Sequence, residues 1–148
     1  MIFKTFATAA ALVVATTAAY AGEWVVKQGS QDVAATADKL VAAVEKAGAT
    51  VFARVDHAAG AKAVGAELPA TTMVIFGNPK LGTPIIAADR RAGLDLPIRV
   101  LIWDDGGKTM IGYEAPAELK ARYAIEGADA SFDAMAGALD KLTGAAAQ

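Results

Sequence analysis

Cysteine is absent from the sequence and histidine occurs once, as His57. The first absence excludes disulfides, iron–sulfur clusters, thiolate zinc sites, covalently attached haem and thiol nucleophiles. The second excludes metal centres built mainly from imidazole within one chain. Charge of one sign is scarce as well: 14 basic residues stand against 16 acidic ones, and the cations are scattered apart from Arg90-Arg91. Without a basic patch, nucleic acid is not an expected partner and an anionic membrane surface is not favoured. Serine is limited to Ser30 and Ser131, both near expected helix starts, and no G-x-S-x-G elbow exists, so a serine hydrolase has little support.

What is abundant is small and apolar. Hydrophobic types make up 55% of the 148 residues, and alanine alone supplies 37 of them. A single domain with a packed core follows, though alanine buries little area per side chain. Part of the apolar content sits at the N-terminus, where Lys4 is followed by an uncharged run from Thr5 to Ala19 and then Ala19-Tyr20-Ala21. A positive start, an apolar stretch and small residues at the cleavage positions describe a signal peptide over residues 1–21. The run is too rich in alanine and threonine for a stable anchor, which wants roughly 20 strongly apolar residues. The expected mature chain is residues 22–148, periplasmic or secreted, with no stable membrane insertion after cleavage.

Within it, Trp24-Val25-Val26 reads as a strand, and Ser30 or Asp32 caps a helix whose stripe Val33, Ala37, Leu40, Val44 and Ala47 ends at Gly48. From Thr50 to Val55, Val51, Ala53 and Val55 alternate with Phe52 and Arg54, the period of a half-buried strand. Ala58 to Glu67 reads as a loop or a short frayed helix. Thr71 to Gly77 is a covered strand, after which Thr83 is expected to cap a helix with Pro84 at its first position, running to about Arg91 with Gly93 as its stop. Ile98 to Trp103 and Lys108 to Tyr113 form a hairpin around Asp104-Asp105-Gly106-Gly107. Pro116 opens a further helix. Asp129 is expected to cap the last, with Phe132, Met135, Leu139 and Leu142 on its apolar face and a frayed alanine-rich tail. The fold class is therefore α+β: a two-layer domain with a mixed or antiparallel sheet of about five strands and helices mainly on one face.

Three places carry candidate chemistry. Asp56 and His57 close a strand, and His57 suits an acid–base residue or a single metal or haem ligand. Neighbouring strand residues face opposite ways, so Asp56 does not orient His57 as a triad aspartate would. A metal site of His57 with Asp56, Glu67 or a methionine lacks any recognisable ligand spacing. The Phe76 to Pro84 stretch, with Asn78, Lys80, Gly82 and Thr83, is a strand–turn–helix junction. Its free N–H groups would hold a carboxylate or phosphate, or merely build a tight turn, and it is not a P-loop. Arg99 lies on one side of its strand with Leu101 and Trp103, as an anion clamp or as the ion-pair partner of Glu67 or Asp56.

Taken together, Arg54 to Ala61, Gly65-Ala66-Glu67-Leu68-Pro69, Phe76 to Pro84 and Asp95 to Trp103 resemble the consecutive blocks of the family called domain of unknown function 302. Their order and spacing cover nearly all of the expected mature chain. The resemblance implies a compact α+β domain, found alone in exported bacterial proteins or joined to other modules, and a homodimer. It implies no activity. Asp56, His57, Glu67, Asn78, Gly82, Thr83, Pro97 and Arg99 stand at its motif positions, while Ala88-Asp89-Arg90-Arg91 departs from the proline-bearing segment of the pattern. The expected function is an exported domain that binds a small ligand or metal-bearing group at a site shared by the Asp56-His57 strand end and the Asn78–Thr83 turn. The alternatives are an enzyme using His57 as acid–base residue, or a dimeric interaction module. No cofactor is identified by these residues.

Overall fold

Helix α1 (Val33–Lys46) begins where its stripe predicts, because the Asp32 carboxylate accepts from the Ala35 N–H at 2.8 Å and satisfies one of the free first-turn donors. It ends before Gly48, which takes the left-handed φ of 72° that a side chain would resist. The computed structural model describes residues 22–148, and the expected signal segment lies outside them. Around α1 the chain forms β1 (Trp24–Gln28), β2 (Thr50–Asp56), α2 (His57–Ala63), β3 (Thr71–Gly77), α3 (Pro79–Ala88), a 3₁₀ turn (Arg90–Leu94), β4 (Ile98–Asp105), β5 (Lys108–Glu114), α4 (Pro116–Arg122) and α5 (Asp129–Ala146).

The strands make one open sheet in the order β1-β5-β4-β3-β2, antiparallel throughout. At the β4–β5 hairpin Gly106 and Gly107 have φ of 61° and 88°, the values that a tight two-residue turn requires, and Asp104 accepts from the Gly107 N–H at 2.6 Å. Helix α1 packs on β2, β3 and β4 and against α5, which also receives α3 and α4. The core lies between: Leu40 and Val44 of α1, Val74, Val100, Ile102 and Ile111 of the sheet and Leu139 of α5 are all at most 1% exposed. On the opposite sheet face the register aligns Val26, Gly112, Leu101, Met73 and Val55 across all five strands. Trp24, 53% exposed, and Trp103 both close over Gly112 on that face.

Several local expectations are corrected. Helix α3 starts with Asn78 as cap and Pro79 at its first position, so Thr83 and Pro84 lie inside it. Two prolines offered the same signal, and the earlier one has the better cap, since the Asn78 side chain accepts from the Lys80 N–H at 3.0 Å. The helix stops at Ala88, and Asp89 then caps the separate 3₁₀ turn. Of the two readings of Ala58 to Glu67, the short helix is the one found, as α2 with Asp56 as its cap. Asp129 does not cap α5 but is its first residue, paired with Lys120. The tail is not frayed: Ala146 is fully buried and the Ser30 N–H donates to the Ala147 carbonyl at 2.9 Å. Strand β2 breaks its alternation at a bulge between Val51 and Ala53, which sets Arg54 opposite Val74 and in reach of Asp38 on α1.

Candidate functional site at the Asn78 end of the sheet

Antiparallel pairing decides which candidate residues can meet. Thr50 pairs with Gly77, whereas Asp56 pairs with Thr72, five residues back along β3. At about 3.3 Å per residue the Asp56-His57 strand end and the start of α3 are roughly 17 Å apart along the sheet. The structure therefore separates the two halves of the expected shared site. At the first end, Asp56 accepts from the Ala59 N–H at 2.9 Å, which commits its carboxylate to capping α2. His57 is the first residue of that short helix and is exposed, as is Glu67 in the loop that follows. Among the described residues no three His, Asp or Glu side chains converge closely enough to hold a metal ion.

At the other end, the N-terminus of α3 is already satisfied. Pro79 has no N–H, Lys80 donates to the Asn78 side chain, and the Leu81 and Gly82 N–H groups both donate to the Asn78 carbonyl. No free backbone N–H remains in that first turn for a carboxylate or phosphate, and Lys80 extends outward, exposed. Behind the turn lies a cavity of about 320 Å³. Its walls come from the end of α1 (Ala47), the sheet (Phe52, Phe76, Gly77, Ile98), α3 (Leu81, Ile86), Leu96-Pro97, and α5 (Met135, Ala138, Leu139, Leu142). Asn78 and Thr83 are the polar side chains in this lining, and among the described residues no charged one belongs to it. Gly77, Gly82 and Ala138 present little or no side chain on three of its walls.

Arg99 is held by Asp95, and neither Glu67 nor Asp56 reaches it. Asp95 accepts from Arg99 at 2.8 Å, from Arg122 at 2.7 Å and from the Tyr123 hydroxyl at 2.9 Å. Burial alone would raise the Asp95 pKa. The hydrogen bonds from Arg122 and Tyr123, with the Arg122 and Arg99 charges, hold it below the ordinary aspartate value. Arg122 continues to Glu114, so the network ties the start of β4 to the end of β5 and to α4. These arginines are bound to carboxylates, which accounts for Arg99 without an external anion.

Residues 25–142 match the family described as Domain of unknown function DUF302. The chain belongs to the DUF302 family. The DUF302 fold is also that of the crystal structure of an uncharacterized conserved DUF302 protein from Bacillus stearothermophilus. That structure superposes with a TM-score of 0.76 over 83% of this chain and 97% of that one, at 14% identity. Curated relatives include fluoride-specific ion channel FluC 1 of Brucella suis, 44% identical over 99 residues that make up 66% of this chain and 39% of the relative. FluC 1 of Brucella abortus and FluC 2 of Brucella melitensis match to the same extent, with 37% of each relative covered. The chain thus spans about two fifths of the length of these relatives, and most of each lies outside the matched residues.

Asn78, Gly82 and Thr83 are legible in the sequence as residues of one turn, while the hydrophobic walls of this site are not. Met135, Leu139 and Leu142 read as the apolar face of the last helix, and Phe52 as one residue of an alternating, half-buried strand. The available signal was the clustering of small residues, Gly77 and Gly82, on either side of the turn.

Proposed function

We propose that this DUF302 domain is an exported, periplasmic or secreted protein that binds a small, neutral, apolar ligand in the cavity at the Asn78 end of its sheet. The observation that carries the reading is the cavity itself, about 320 Å³ and walled by aliphatic and aromatic side chains with two neutral polar ones. The satisfied first turn of α3 argues against an anionic ligand there. Binding is tested with a neutral environment-sensitive dye and competing uncharged hydrocarbons. Saturable 1:1 binding that Ala138→Trp abolishes is expected; binding unchanged by that filled wall, or none at all, refutes the reading. Export rests on the pattern from Lys4 to Ala21. Fractionation should recover a chain beginning at Gly22 outside the cytoplasm, and an intact Met1 chain inside it would refute export.

A second reading, self-association, is favoured by the open sheet face with exposed Trp24 and Val26. Sedimentation should give a dimer that Val26→Glu dissociates; a monomer at all concentrations removes this reading. The channel relatives add a narrower one, service to a fluoride-specific ion channel. Deleting the gene should then lower growth at raised fluoride, and unchanged growth counts against it.

A further inference from the structure

The identity of the cavity's ligand is narrowed by how Phe52 reaches it. Val51 pairs with Phe76 and Ala53 with Ile75, so Phe52 is the extra residue of the β2 bulge. A bulge sets two residues of one strand against one of its neighbour and re-aims a side chain. Strict alternation would send Phe52 to the face opposite Val51. With the bulge it lines the cavity together with Phe76. The Phe52 ring runs across Gly77, its Cε2 3.7 Å from the position a Cβ there would take, and the Pro97 ring approaches the same point to 3.4 Å. Phe76 is 5% exposed and Phe52 57%, so one ring is a fixed wall and the other an uncovered aromatic at the mouth.

The polar chemistry is equally restricted. Asn78 spends its side-chain oxygen on the Lys80 N–H, and its amide N–H₂ has no acceptor among the described residues. Building on the cavity reading above, we propose that the ligand is a flat, neutral aromatic molecule with one carbonyl or hydroxyl oxygen. Its ring lies against Phe52, and its oxygen accepts from the Asn78 amide. Phe52 is then the residue that selects aromatic over aliphatic ligands.

The probes are 2-acetylnaphthalene, its fully saturated decalin ketone, and naphthalene, measured by calorimetry on the wild type, Phe52→Leu and Asn78→Asp. Both variants are checked by circular dichroism; Phe52 is exposed, and Asn78→Asp keeps the capping oxygen while removing the amide donor. The aromatic ketone should bind about fivefold more tightly than the saturated one, and Phe52→Leu should erase that preference. Asn78→Asp should weaken the aromatic ketone about fivefold and leave naphthalene unchanged. Equal binding of the two ketones, or a preference that survives Phe52→Leu, overturns the inference and leaves the cavity reading standing. Failure of all three probes to bind overturns both.

Discussion

The two ends of the sheet are built on different principles. The Asp56-His57 end carries the one imidazole of the chain, yet α2 buries no residue and rests on one side-chain cap. The Asn78 end carries little reactive chemistry. It is braced by α1, α3 and α5 around a cavity and by the Asp95 network across β4, β5 and α4. A residue conspicuous by type can stand on a weakly held segment, while the shaped concavity comes from residues that look like ordinary core. Shape depends on contacts distant in sequence, and reactivity by residue type does not.

The contrast can be broken by mutation. Leu139→Ala, at a position 1% exposed beside the cavity, should cost about 3 kcal/mol in denaturant unfolding; a loss under about 1 kcal/mol would mean that this end is loosely packed. Asp95→Asn should cost about 2 kcal/mol, because two arginines and a tyrosine lose a charged acceptor. Asp95 also sets an acid dependence. Its folded pKa lies below the unfolded one, so its contribution is present at neutral pH and is lost as pH falls below about 4. Asp95→Asn should flatten that part of the stability–pH curve, and an unaltered curve would show that other carboxylates dominate it.

At the opposite end the effects should shrink. Asp56→Ala removes only a cap and should cost about 1 kcal/mol, with loss of amide protection in α2 and none in α3. His57→Ala should shift stability by less than about 0.5 kcal/mol and leave dye binding in the cavity unchanged. A large loss of binding in that variant would reconnect the two ends and restore a shared site.

How far the molecule could be read from its residues follows the range of each interaction. Helix α1 was legible because its stripe, the Asp32 cap and Gly48 lie within one stretch of chain. The β4–β5 hairpin was legible because Gly106-Gly107 is a local turn signal. The start of α3 was not, since Pro79 and Pro84 satisfy the same local rule and the geometry of the Asn78 side chain separates them. The buried tail of α5 was hidden as well, because alanine reads as a weak core former until a neighbouring segment, here Ser30, holds the helix end in place.

The sequence by itself determined the α+β class and the narrow chemical inventory left by one histidine and no cysteine, because composition and local periodicity suffice for these, and its four motif blocks carried the resemblance to the family. Only the tertiary structure decided that Asp56-His57 and Asn78–Thr83 face opposite ends of the sheet, that Arg99 belongs to Asp95, and that Phe52 turns toward the cavity. Strand register sets all three positions, and a single extra residue in β2 is enough to redirect a side chain from one face to the other.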